Sequence, residues 1–111
     1  MDMKIERGEI WWVNLDPALG REIKKRRPCV VLSANEVNRI RATPVVIPLS
    51  SSPQAAPPVV LSIPSAGKDA VAVLDQIRAV DKRRFVNRAG ILADGDLRNL
   101  EIAVKQILQL P

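Results

Sequence analysis

The sequence predicts a mainly β fold: a small, mostly antiparallel barrel closed by one C-terminal amphipathic α-helix, with residues 1–111 forming a single domain. Three observations predict it. At least five short apolar runs are separated by Pro, Gly and Ser clusters, a long helical period occurs once, at the C-terminus, and no strand–helix–strand alternation is present. With 111 residues and 47% apolar content the chain can bury one core, but not two lobes with a cleft between them. Any active site is then a surface groove or lies between subunits.

Taken in order, Glu9 to Asp16 (EIWWVNLD) mixes aromatic and β-branched residues, stops at Asp16-Pro17, and predicts the first strand. Trp11 and Trp12 are consecutive, so they point to opposite faces and at most one is core. Residues 17–25 are polar, contain Gly20, and predict a long exposed loop of the kind that carries function. Cys29 to Ser33 (CVVLS) is an apolar run typical of a strand covered on both faces. Ala34 to Ile40 fits one helical turn with Asn35 as its cap. Pro44 to Leu49 predicts a strand in which Pro48, unable to donate, lies at an edge or bulge. A Ser/Pro-rich loop covers 50–58, and two more strands, Val59 to Ile63 and Ala70 to Leu74, flank Pro64-Ser65-Ala66-Gly67. Ile77 to Val86 continues as one or two strands with Ile77, Ala79 and Phe85 on the buried side. Leu97, Leu100, Val104, Ile107 and Leu108 then repeat at helical spacing, with Asp94 and Asp96 in the first turn and Glu101–Lys105 as an i,i+4 pair.

Composition excludes several chemistries. There is no histidine and only one cysteine, Cys29, so an internal disulfide, the usual zinc sites and histidine acid–base catalysis are excluded, and no set of carboxylates is placed to hold two metal ions. No cofactor or metal is expected. Three aromatic residues are too few for a stacking platform of the RRM type. No apolar run approaches a membrane span, and the N-terminus, charged at Asp2, Lys4, Glu6, Arg7 and Glu9, has no signal-peptide character, which predicts a cytoplasmic protein without membrane association.

The net charge of +5 is unevenly spread: residues 21–27 and 78–88 each sum to +4, and the remaining ninety-three to −3. Either block alone can be a solvated loop. Brought together in one groove at a subunit boundary, they would form a footprint for a polyanion, nucleic acid first.

The strings Arg7-Gly8-Glu9-Ile10-Trp11 with Asn14-Leu15-Asp16-Pro17, Arg27-Pro28-Cys29-Val30-Val31, Asn38-Arg39, Pro48-Leu49-Ser50-Ser51 and Leu74-Asp75-Gln76-Ile77-Arg78-Ala79-Val80-Asp81-Lys82-Arg83-Arg84 resemble the MazF/PemK toxins, in family order and over nearly the whole chain. The last string is the most specific. The resemblance implies an SH3-like barrel, a homodimer, and an endoribonuclease toxin (an mRNA interferase) that cuts single-stranded RNA and is silenced by a cognate antitoxin. The chain stands closer to the MazF branch: Val73 occupies the position where PemK-like members place an arginine, and the histidine some members carry in the first loop is missing. The general base is therefore unassigned, because an arginine is too weak an acid to serve as one.

Metal-free RNA cleavage needs a cation for the pentacoordinate phosphorane, a group that aligns the 2′-hydroxyl, and proton acceptors and donors. Arg27, held extended before Pro28, suits the cation role. Ser50, where the family carries Thr or Ser, suits alignment, although Ser51 could take its register; its plainer reading is a turn serine. Asp75 either accepts a proton or base N–H, or neutralises Arg78. These three are the catalytic candidates. Lys24, Lys25, Arg26, Ser51, Gln76, Arg78, Lys82 and Arg84 are the RNA-binding candidates, Gln76 by reading a base edge and the cations by holding phosphates. The solvent-side tryptophan would stack on a base or enter the dimer interface. An acidic, disordered antitoxin tail fits the same groove by charge. The alternative is a non-catalytic basic barrel binding RNA or an acidic protein, or a topoisomerase-inhibiting toxin of the same fold; the latter resemble one another in a Trp-containing C-terminal tail, and this chain ends Gln109-Leu110-Pro111.

Overall fold

The computed structural model describes residues 3–111; Met1 and Asp2, part of the charged N-terminus, lie outside the described residues. Seven strands form one antiparallel sheet: β1 (Glu9–Asn14), β2 (Arg26–Val31), β3 (Val45–Ser50), β4 (Val60–Ser62), β5 (Val71–Val73), β6 (Arg78–Ala79) and β7 (Phe85–Ile91). Their order is β4-β5-β3-β2-β1-β7, with β6 also paired to β3. Among the described residues no ladder joins β4 to β7, so the sheet curls like a barrel without closing. The described residues also form two α-helices, α1 (Asn35–Ile40) and α2 (Asp94–Leu108), and 3-10 turns at Pro64–Ala66, Leu74–Gln76 and Lys82–Arg84.

Alternation along the central strands builds two cores. Ile10, Val30, Ile47 and Leu49 face one cluster, which α2 covers with Leu100, Ala103 and Val104, with Leu97 and Ile107 packed alongside. Trp11, Val13, Cys29, Val31 and Val46 face the other, which Ile5, Leu15, Val80 and Phe85 complete. Both faces of β2 and β3 are thus covered, as their unbroken apolar runs require. Trp11 is the core tryptophan and meets Phe85 edge to face at 5.8 Å. Trp12 is 37% exposed.

Several expectations are corrected. Asn35 does not cap α1; its side chain accepts from the Arg7 amide at 2.6 Å, and Ala34 holds the cap position. Pro48 is central rather than on an edge, and it is tolerated because β3 changes its second partner there, from β6 at Val46 to β5 at Leu49. Ala79 is exposed while its neighbour Val80 is buried, since β6 is only two residues long and the chain turns after it. Leu108 is 49% exposed at the end of α2. Glu101 pairs with Arg7 at 2.7 Å, not with Lys105, because the tertiary contact ties α2 to the N-terminal segment.

Candidate functional site

Two prolines shape the site. The β2–β3 ladder stops at Cys29–Pro48, and the next residue toward the start of β2 is Pro28, which has no donor to extend it. Continuing that register by two residues sets Arg27 across from Ser50. The strands part there and a cavity of about 600 Å³ opens, lined by Arg26, Arg27, Pro28, Ser50 and Ser51. Its apolar side comes from Ile10, Trp12 and Ile91, and its far wall from residues 65–70 of the β4–β5 connection, including Lys68 and Asp69.

Arg27 and Ser50 are both half-buried. The Arg27 Nε donates to the Lys24 carbonyl at 3.3 Å, and its terminal nitrogens have no partner among the described residues. The Ser50 hydroxyl accepts from the Ser52 amide at 3.3 Å and keeps its own proton to donate. A guanidinium and a hydroxyl across a concave opening form a pair suited to a phosphodiester. Trp12 lies beside them, so its solvent face is turned to the same cavity.

In the β1–β2 loop, residues 17–25 carry Lys24 and Lys25, both exposed. Its mouth is closed by two bonds at 2.8 Å, from the Leu15 amide to the Lys25 carbonyl and from the Lys25 amide to Asp16 Oδ1. Lys25 meets these partners at φ +67, in the left-handed region. Gln76, on a 3-10 turn after β5, reaches this loop: its Oε1 accepts from the Ile23 amide at 2.8 Å and its Nε2 donates to the Arg21 carbonyl at 3.2 Å. With its amide group engaged at both ends, Gln76 holds protein backbone where a base edge was expected.

Other candidates are dispersed. Asp75 is exposed on the same turn, outside the cavity, and among the described residues it forms no ion pair with Arg78. Arg78 sits opposite Val46 in the β3–β6 ladder. Burial pushes the Cys29 thiol up to about 12, with the Arg78 charge acting in the opposite sense. Arg84 donates to the Asn14 and Asp16 carbonyls and so fastens the end of β1. Lys82 and Arg83 line a separate cavity with Met3, Ile5 and Asn38. Within one protomer, Lys82 and Arg83 of the 3-10 turn at Lys82–Arg84 thus line a cavity other than the one lined by Arg27 and Ser50.

Sequence reasoning missed the far wall at 65–70 and the Glu9–Arg88 pair. Glu9 is buried, accepting from the Glu6 amide and Trp11 Nε1 and meeting Arg88 Nε at 2.8 Å. The Pro-Ser-Ala-Gly segment signalled a turn, but nothing local says which strand ends that turn will face. Among the described residues there is no cluster of three or more His, Cys, Asp or Glu side chains, and no helix is long and apolar enough to cross a membrane.

Comparison with known proteins is consistent across the chain. The family described as PemK-like, MazF-like toxin of type II toxin-antitoxin system matches residues 6–108. Endoribonuclease MazF9 of Mycobacterium tuberculosis strain H37Rv is 35% identical over 115 aligned positions, covering 96% of this chain and 98% of its own. Endoribonuclease EndoA of Bacillus subtilis strain 168 is 28% identical, with 97% of each chain covered. Among solved structures, MazF from Deinococcus radiodurans superposes with a TM-score of 0.83 at 25% identity, covering 97% of this chain and 99% of that one. A mycobacterial endoribonuclease in complex with its cognate antitoxin shares the fold, with a TM-score of 0.78 at 20% identity over 97% and 96% of the two chains. Fold, motif order and near full-length coverage agree, and the chain belongs to the PemK-like, MazF-like family of toxins of type II toxin-antitoxin systems.

Proposed function

We propose that this protein is a cytoplasmic toxin endoribonuclease that cuts single-stranded RNA at specific sequences, acts as a homodimer, and is held inactive by an acidic antitoxin. The observation that carries the reading is the placement of Arg27 and Ser50 on either side of one cavity where β2 and β3 part. The RNA 2′-hydroxyl attacks the adjacent phosphorus, the bond to the 5′-oxygen breaks, and the products are a 2′,3′-cyclic phosphate and a 5′-hydroxyl. Arg27 stabilises the charge that builds on the phosphorane oxygens, and Ser50 donates to the scissile phosphate or aligns the attacking hydroxyl. No metal enters this scheme. Lys24, Lys25 and Arg26 tether flanking phosphates, with Ser51 beside Ser50; Arg78 and Lys82 lie further along the surface, and Asp75 contacts RNA beyond the reacting atoms. Relatives named endoribonucleases, and a neighbour solved with its cognate antitoxin, support the activity and the partner.

The test uses one RNA and the DNA of the same sequence, each incubated with the protein in EDTA. The RNA is expected to be shortened to cyclic-phosphate ends, and the DNA to bind yet stay intact because it has no 2′-hydroxyl. Cutting that EDTA abolishes and magnesium restores would overturn the chemistry. RNA that shifts on a gel at full length would mean binding alone.

A further inference from the structure

The β1–β2 loop is closed at its mouth by its own hairpin, but its middle has no such support. Residues 17–22 are exposed except for a half-buried Ala18, and within the loop the Glu22 side chain accepts only from the nearby Leu19 amide. Among the described residues, the one side chain that hydrogen-bonds the middle from elsewhere in the fold is Gln76, which binds the Ile23 amide and the Arg21 carbonyl from 53 and 55 residues away. Ile23 is also the loop residue packed against a core cluster. The next residue, Lys24, offers the carbonyl that accepts from Arg27 Nε. A continuous path of hydrogen bonds and backbone thus runs from Gln76 through residues 21–24 to the guanidinium that faces the cavity.

We infer that Gln76 is a positioning residue for Arg27: its amide latches the middle of the β1–β2 loop, and the latched loop orients the Arg27 guanidinium through the Lys24 carbonyl. The inference rests on the endoribonuclease reading for its kinetic consequence, but not for the latch. An amide suits the task because it offers one acceptor and one donor, and the loop presents an N–H and a C=O. A glutamate keeps the acceptor for Ile23 but sets a carboxylate oxygen against the Arg21 carbonyl. Asparagine is one methylene shorter. Because the mouth bonds at Leu15, Asp16 and Lys25 do not involve Gln76, losing the latch frees the middle without opening the hairpin. Lys24 and Lys25 still tether RNA through flexible stems, so the loss falls on kcat more than on KM.

The experiment compares wild type, Gln76→Ala and Gln76→Glu by three readouts: RNA cleavage kinetics, mapped cut sites, and limited tryptic cleavage at Arg21, Lys24 and Lys25 without RNA. The expected result is faster tryptic cutting in both variants, greatest in Gln76→Ala, with kcat lowered about 10- to 100-fold in Gln76→Ala, less in Gln76→Glu, and KM and cut sites near wild type. Altered cut sites with a loop as protected as in wild type would overturn the inference and make Gln76 a base reader. Unchanged kcat with a freed loop would also overturn it, since the loop would then not govern Arg27. If Gln76→Ala fails to fold, Gln76→Glu decides. A wild type that does not cut RNA would sink the endoribonuclease reading, while the tryptic readout still judges the latch.

Discussion

The two basic blocks carry the same net charge and are put to different uses. In residues 21–27, Arg21, Lys24, Lys25, Arg26 and Arg27 form no ion pair among the described residues, and two of them line the cavity. In residues 78–88, three of the five cations are engaged, Arg83 by Asp81, Arg84 by two backbone carbonyls at the end of β1, and Arg88 by the buried Glu9, while Arg78 and Lys82 form no ion pair among the described residues. A cation whose donors are spent on the fold is poorly placed to hold a phosphate. Charge counting therefore finds basic residues, whereas partner counting separates those that build the molecule from those left to a ligand. The distinction is testable because the first kind acts on stability and the second on activity.

The largest expected effect is at Arg27. Arg27→Ala should lose on the order of 3 kcal/mol of transition-state stabilisation, about 100-fold in kcat/KM, while Tm stays near that of wild type. Among the described residues its side chain makes one hydrogen bond, the long contact to the Lys24 carbonyl, so folding loses little. Cleavage assays and thermal melts on one preparation check it. Retention of most activity would put Arg27 among the structural arginines and erase the contrast.

Arg88 should show the reverse. Its guanidinium compensates a carboxylate whose side chain is 9% exposed, so Arg88→Ala leaves Glu9 with the Glu6 amide and the Trp11 indole as its remaining donors. Stripping one partner from a buried charge costs more than an exposed pair contributes; because Arg88 itself is half exposed, we expect about 1–3 kcal/mol. Urea unfolding should register the loss, with cleavage per folded molecule near wild type. A stable Arg88→Ala with impaired cleavage would move Arg88 from the residues committed to the fold to those that serve the RNA.

The contrast also marks how far the sequence could be read. The strands were legible because alternation at Ile10–Trp11, Cys29–Val31 and Val46–Ile47 is a local pattern, and α2 because its period is local too. Arg27 and Ser50 were singled out by the family strings, not by any local signal that they share a cavity, and prolines at 28 and 48 explain why one opens there. What was not legible depends on contacts between distant residues. Nothing near Gln76 reveals that it binds residues 21 and 23, nothing near Arg88 reveals Glu9, and nothing in Asp75-Gln76-Ile77-Arg78 reveals that Asp75 and Arg78 form no ion pair among the described residues. Element boundaries drifted for the same reason: β2 begins at Arg26, in the first basic block, because β1 supplies partners as far as Asn14.

The smallest expected effect belongs to Arg83, paired but highly exposed, and it tests the contrast at its weak end. Asp81 caps the 3-10 turn by accepting from the Arg83 amide at 2.8 Å, and its carboxylate also meets Arg83 Nε at 3.0 Å. The Arg83 guanidinium and amide hold the Asp81 carboxyl below the usual carboxylate range, and Asp81 raises Arg83 in return. A carboxyl with a lowered folded pKa contributes stability that is fully present above its unfolded value, near 4, and is lost as pH falls through the folded one. Asp81→Asn removes this titration. The stability difference between wild type and Asp81→Asn should therefore be small and constant at neutral pH, then shrink as the solution is acidified below about pH 4, which paired urea titrations at several pH values would resolve. A difference that grows on acidification has the wrong sign for a paired carboxylate. It would show that Asp81 and Arg83 do not hold each other in solution, and would move Arg83 from the residues committed to the fold to those open to a partner.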